Sequence, residues 1–243
     1  QSALAQALSI DREALLIERL SCSGNGFESV RDPRGLSATR LQGTYNIVTI
    51  PVAARRALVQ AVESAGLEVA RLTYTLPLVL AEQASHELRH QRVLIVDVGG
   101  LSTDAGLFIE GALAALEVIP FGGMRLATAI ASQLNVTLSQ AVSWSLEGKA
   151  CPKTGVREII EGQWKTLQSS FEKLLAGQPK PDALLLTGRG ALIDGFAEWV
   201  EQATGLTGTV CRSPRTLQLG ELSRQVGLGG AIGLLEAITA TAD

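Results

Sequence analysis

The feature that most constrains this chain is an unbroken apolar run, residues 93–97 (VLIVD), which ends in the carboxylate Asp97 and leads into the glycine turn at 99–104 (GGLSTD). A short apolar run bounded by turn residues is typical of a strand buried on both faces. Residues 105–109 and 113–119 predict two further strands, joined by a tight turn at Glu110-Gly111. The sequence therefore predicts a buried strand followed by a hairpin at the centre of the chain.

The rest of the chain mixes helix and strand patterns, which is typical of an α/β fold. The first part predicts a helix over 1–20 and a βαβ-like unit with a strand at 44–51, a helix at 52–65 and a strand at 67–74. The second part predicts strands at 183–186 and 207–211. Its predicted helices cover 77–90, 125–133, 137–148, 155–176, 193–204 and 226–240.

Composition limits the functional classes without choosing one. The formal net charge of −3 argues against a nucleic-acid partner. No apolar run reaches the roughly 18 residues that span a bilayer, and no secretory signal pattern is present. The three cysteines, Cys22, Cys151 and Cys211, match no metal spacing and suit a reducing compartment. We therefore expect a cytoplasmic globular protein. We also predict no catalytic residue.

Three glycine turns are candidates for ligand binding. In the turn after Asp97, glycines let backbone N–H groups approach an anion, Ser102 and Thr103 add hydroxyl donors, and the carboxylate suits a hydrated Mg²⁺ beside phosphate. A second turn, Gly188-Arg189-Gly190, follows a strand, and its glycine backbone would allow a flat ligand such as adenine to lie close beside it. A third, Gly122-Gly123, precedes a helix and would face an anion. Each turn taken singly is also compatible with a plain structural turn.

The order of these segments resembles the actin-like ATPase superfamily, which has a ribonuclease H-like fold. Within it, residues 32–41 (DPRGLSATRL) and 61–67 (AVESAGL) resemble the FtsA family of bacterial cell-division proteins. The segment IPFGGMRL at 119–126 resembles the PilM family of pilus scaffolds as closely as it resembles FtsA. The segment 32–41 favours FtsA.

The resemblance implies an incomplete actin-like fold with an FtsA-type extra α/β subdomain. That subdomain would cover residues 1–76, residues 77–92 would be a helix of the first actin-like domain, and 93–240 would be the second domain with a reduced subdomain at 141–178. No first phosphate loop precedes residue 15, and no basic membrane helix follows Asp243, so we expect a shortened or truncated member. A sugar or acetate kinase of this fold would need that first loop and a carboxylate base.

Implied site residues follow from the same resemblance. Metal binding falls on Asp97, and ATP binding falls on Gly99, Gly100, Leu101, Ser102, Thr103, Gly122, Gly123, Gly188, Arg189 and Gly190. Three departures from the family pattern predict weakened binding of ATP and Mg²⁺, and at most a weak ATPase. Leu101 stands where a third glycine is usual, Arg189 stands in the adenosine turn, and Ala141 and Trp144 stand near the position of the family's ribose-contacting Glu-x-x-Lys.

The implied function is a cell-division scaffold that links FtsZ to other divisome proteins and associates with itself. It would act in the cytoplasm at the division site, at the inner face of the membrane, with membrane contact only through a segment absent here. The alternative is a PilM-like scaffold of a type IV pilus or secretion machine.

Overall fold

The computed structural model describes residues 8–83 and 85–211. The chain divides into two compact units, Gln1–Tyr74 and Thr75–Asp243. The helix predicted at 226–240 lies outside the described residues, as does the start of the helix predicted at 1–20.

The first unit is a three-stranded antiparallel sheet followed by one helix. Strands β1 (Arg12–Gly24), β2 (Phe27–Val30) and β3 (Leu41–Pro51) lie in the order β2-β1-β3, and helix α1 spans Val52–Ser64. The strand predicted at 44–51 and the helix predicted at 52–65 are confirmed. The helix predicted over 1–20 is wrong from residue 12 onward, and the strand predicted at 67–74 is not formed. The predicted βαβ-like unit is therefore replaced by strands that precede the helix.

Long-range pairing explains why the leucine-rich start of β1 is a strand. β1 pairs with β3 along almost its whole length, from Arg12 opposite Pro51 to Gly24 opposite Leu41. That ladder satisfies backbone groups over a segment whose helical signal was a weak propensity. Pairing between residues that are 17 to 39 positions apart cannot be seen in a local window of sequence.

The second unit is built on a five-stranded sheet with the order β6-β5-β4-β7-β8. Its strands are β4 (Arg92–Val98), β5 (Thr103–Ile109), β6 (Ala112–Ile119), β7 (Ala183–Thr187) and β8 (Gly208–Val210). The first three strands of the unit form antiparallel pairs, whereas β7 runs parallel to both β4 and β8. The predicted central strand and hairpin are confirmed.

The helices of this unit largely follow the predicted ones. The predicted helix 77–90 is two helices, α2 (Thr75–Gln83) and α3 (His86–Arg89). Three more follow the hairpin: α4 (Gly123–Leu134), α5 (Leu138–Glu147) and α6 (Val156–Leu175). Helix α7 spans Phe196–Thr204, and a 3₁₀ turn at Arg189–Leu192 delays its start. No described helix has the length and apolar character needed to cross a bilayer.

The core of the second unit lies between the sheet and helices α4, α6 and α7. Helix α6 buries a stripe at helical spacing that includes Ile160, Trp164, Leu167 and Phe171. The indole of Trp164 lies 5.8 Å from the ring of Phe196 and contacts it edge to face. The predicted packing role of Trp164 is confirmed. This core fixes the carboxyl ends of β4 and β7 side by side, with Asp97 in register with Thr187.

Candidate functional site

The three glycine turns predicted from the sequence meet at the carboxyl end of β4. A Cβ atom on Gly122 would lie 2.5 Å from the carbonyl carbon and oxygen of Gly100. A Cβ atom on Gly188 would lie 2.5 Å from Oδ1 of Asp97 and would also collide with the carbonyl oxygen of Val98. Only glycine allows such close approach of two backbones, so these residues are required for the turns to pack together.

Hydrogen bonds tie the turn after β4 to the start of α4. The amide of Gly99 donates to the carbonyl oxygen of Ser102 at 3.0 Å, which closes the turn. The amide of Gly123 donates to the carbonyl of Gly99 at 3.0 Å, and the amides of Met124 and Arg125 donate to the carbonyl of Gly100 at 2.8 and 3.2 Å. The first amides of α4 are therefore satisfied within the protein and do not face outward toward an anion.

Other donors of the turn after β4 remain open. Within residues 8–83 and 85–211, no protein acceptor is found for the backbone amides of Gly100, Leu101 and Ser102. The Leu101 side chain is 63% exposed. Thr103, by contrast, is fully buried, and its hydroxyl donates to the carbonyl of Phe121 at 3.0 Å. The Thr103 hydroxyl thus joins β5 to the turn before α4.

Two carboxylates lie side by side at this end of the sheet. Asp97 on β4 is directly opposite Asp104 on β5. Partial burial, and secondarily the charge of Asp104, raises the pKa of Asp97 to about 6. No cluster of three or more acidic, histidine or cysteine side chains occurs in the described part of the chain. A pair of carboxylates suits Mg²⁺, which keeps several waters and takes phosphate oxygens as further ligands.

The second predicted turn is packed closely against β4. Gly188 has φ of 81°, a conformation that favours glycine, and a Cβ atom on Gly190 would collide with the Val98 side chain. Arg189 between them is exposed. Of the two residues near the expected ribose contact, Ala141 is fully buried, and the Trp144 ring lies 5.6 Å from the ammonium group of Lys153. The residues present therefore fit a phosphate group and a hydrated cation better than a ribose.

Sequence reasoning did not assign roles to two residues at this site. Asp104 ends the segment 99–104, and the pairing of β4 with β5 places it opposite Asp97. The short turn between the two strands is the sequence signal that could have predicted this register. Arg125 donates from Nε to the carbonyl of Leu101 at 2.6 Å. No local signal marks that arginine, because the contact depends on how the turn folds back over α4.

Comparison with known proteins identifies the family. Residues 94–230, more than half of the chain, match the family model described as cell division protein FtsA. The chain belongs to the FtsA family of cell-division proteins. This match confirms the family resemblance read from the motifs.

Individual relatives agree with the family match. FtsA of Pseudomonas aeruginosa is 25% identical over 234 residues, which cover 82% of this chain and 55% of the relative. FtsA of Escherichia coli is 30% identical over 205 residues, covering 70% of this chain and 49% of the relative. The chain spans about half the length of the curated relatives it matches.

Solved structures identify the fold. A PilM–PilN type IV pilus biogenesis complex matches with a TM-score of 0.74 and 18% identity, covering 97% of this chain and 70% of the matched chain. MreB5 of Spiroplasma citri bound to ADP matches with a TM-score of 0.62 and 15% identity, covering 79% of this chain and 67% of the matched chain. At these identities the likeness concerns the fold alone. The predicted actin-like fold is confirmed.

Proposed function

We propose that this chain is a scaffold of the cell-division machinery that links FtsZ to other division proteins and associates with copies of itself. The family match over residues 94–230 carries this proposal. The turns of the described site offer contacts for phosphate and a cation, and this proposal assigns no residue a catalytic role. We expect the chain to act in the cytoplasm at the division site, at the membrane face.

The FtsZ link is tested by co-sedimentation with assembled FtsZ filaments. We expect the chain to pellet with filaments and to remain in solution with FtsZ that lacks its C-terminal tail. The tail-deleted protein is the control, because we propose that residues 141–178, which the family resemblance assigns to a reduced subdomain, contact that tail. Equal pelleting with both forms would contradict the tail contact, and no pelleting with either would contradict the FtsZ link.

A PilM-like role is the alternative, and the PilM–PilN likeness along nearly the whole chain is the observation that favours it. A parallel pull-down with immobilised FtsZ tail and with the cytoplasmic peptide of a pilus membrane protein separates the two roles. We expect capture by the FtsZ tail only. Capture by the pilus peptide alone would replace the division role.

We further propose that the chain binds ATP weakly, with the phosphates at the turn 99–102 and the adenosine toward Gly188–Gly190. The open amides of Gly100, Leu101 and Ser102 support phosphate contacts. Asp97 would hold Mg²⁺ through water, and the ion would neutralise phosphate charge. The exposed Leu101 side chain, which stands in the place of a glycine, would keep phosphate away from the backbone and weaken binding.

Calorimetric titration with ATP, with and without Mg²⁺, tests this site. Asp97→Ala should lower the Mg²⁺-dependent affinity about tenfold, because the water-mediated ligand is lost. Leu101→Gly should raise the affinity, and Leu67→Gly is its control, since Leu67 is equally exposed but lies outside the turns of the proposed site. Unchanged affinity in Asp97→Ala would count against the placement of the metal, and tight binding with hydrolysis in the natural chain would contradict a weakened site.

A further inference from the structure

We propose that Arg125 supplies the positive charge that holds phosphate at this site, and that the phosphates extend into the cleft beside it. The inference rests on the proposed nucleotide site and names a residue to which the sequence motifs assign no role. The first amides of α4 are bonded to the carbonyls of Gly99 and Gly100, so the open backbone donors of the described site are the turn amides of residues 100–102. A helix N-terminus in that state has no free amides to give an anion.

An open cleft of about 560 Å³ lies directly beside the turn. Its lining residues are Leu101, Pro120, Arg125, Thr128, Ala129, Ser132 and Gln163. Four of them share one face of α4, at positions 125, 128, 129 and 132, which repeat at helical spacing. Because Leu101 belongs both to the turn and to the cleft, a ligand held by the turn amides can continue into the cleft.

Arg125 is held in place for this role. Its Nε donates to the Leu101 carbonyl at 2.6 Å, which fixes the plane of the guanidinium group against the turn. In the described part of the chain no other hydrogen bond or ion pair of this guanidinium is found, so its terminal nitrogens keep their donors. A guanidinium presents paired donors that match phosphate oxygens, and an exposed arginine pays little desolvation to do so.

The neighbouring side chains offer a ligand both hydrogen-bonding groups and apolar surface. The Thr128 hydroxyl donates to the carbonyl of Met124 at 2.8 Å and so offers only its oxygen lone pair to the cleft. Ser132 and Gln163 add hydroxyl and amide donors along the same wall. No carboxylate lines this cleft among the described residues. The donors of this lining are the side chains of Arg125, Ser132 and Gln163, and the phosphate contacts of the proposal fall on them.

The test measures binding of three probes, tripolyphosphate, ATP and adenosine, to the full chain and its variants. Arg125→Gln should lower the affinity for tripolyphosphate and for ATP about tenfold or more and leave adenosine unchanged. Arg125→Lys should restore part of the loss, since it keeps the charge without the planar fork. Arg157→Gln is the matched control, because Arg157 is an exposed arginine on α6 that pairs with Glu161 and does not line the cleft.

Each other outcome has a distinct meaning. Equal affinity of Arg125→Gln and the natural chain for tripolyphosphate would overturn the inference. An equal loss for tripolyphosphate and adenosine would also overturn it, because Arg125 would then only hold the turn in shape. Binding of tripolyphosphate that depends on Arg125, without any binding of ATP or adenosine, would support the cleft and reject the proposed nucleotide site. Absence of binding to all three probes would overturn both.

Discussion

Asp97 makes the stability of the protein depend on pH. Its pKa is raised to about 6 by partial burial and by Asp104. The folded chain therefore binds this proton more tightly than the unfolded chain does. The resulting stability is fully present below about pH 4, the ordinary aspartate value, and is lost as the pH rises through about 6.

Asp97→Asn should therefore stabilise the fold at neutral and alkaline pH. The full shift corresponds to about 3 kcal/mol, and partial access of water reduces the expected gain in the free energy of unfolding to about 1–2 kcal/mol near pH 8. Near pH 4 the gain should vanish, since the aspartate is then protonated. Urea unfolding at the two pH values measures both quantities. The control is Glu198→Gln, an exposed acid on α7, and an equal gain in that variant would assign the effect to net charge.

At the scale of elements, the two adjacent glycines at the start of α4, Gly122 and Gly123, should respond very differently to the same substitution. Gly122→Ala places a methyl group 2.5 Å from the Gly100 backbone, and we expect a loss of about 2–3 kcal/mol in the free energy of unfolding. Gly123→Ala has no heavy atom within 4 Å of its new Cβ and should change stability by less than about 0.5 kcal/mol. Equal effects, measured by thermal and urea unfolding, would mean that the two turns are not in close contact.

The β5–β6 hairpin turn offers a stabilising substitution. Glu110 has φ of 51° and Gly111 has φ of 80°, so both central residues of the turn are left-handed. Glutamate is strained there, whereas asparagine followed by glycine is the preferred pair. Glu110→Asn should raise the free energy of unfolding by about 0.5–1 kcal/mol. Glu110→Ala, which has no such preference, should give no gain, and a gain in both variants would point to removal of charge instead.

Elements with local signals were predictable from the sequence. The buried run of β4, the turn at Glu110-Gly111 and the amphipathic stripe of α6 each depend on neighbours within a few positions. β1 was not predictable, because its conformation depends on pairing with β3 far along the chain. The residues at 67–74 alternate like a strand but find no partner strand among the described residues, so the pattern alone did not form one.

The candidate site was predictable in position more than in detail. Glycine turns after β4 and β7 had to meet, because parallel neighbouring strands end at the same edge of a sheet. The sequence could not show that carbonyl oxygens of one turn would take the amides of α4, or that Arg125 would bond to Leu101. Both facts depend on the fold of a loop, which hydrophobic periodicity does not encode.

At the scale of the whole molecule, burial is divided very unevenly between the two units. Among the described residues of the first unit, Cys22 is the one side chain that is buried, whereas the second unit contains an extensive apolar core. A unit of this size without such a core cannot offset the conformational entropy of folding. Produced separately, residues 75–243 should therefore unfold cooperatively in urea, and residues 1–74 should show no cooperative transition by circular dichroism. A sharp transition in residues 1–74 alone would contradict this division of stability, and loss of the transition in residues 75–243 would show that the core needs the first unit.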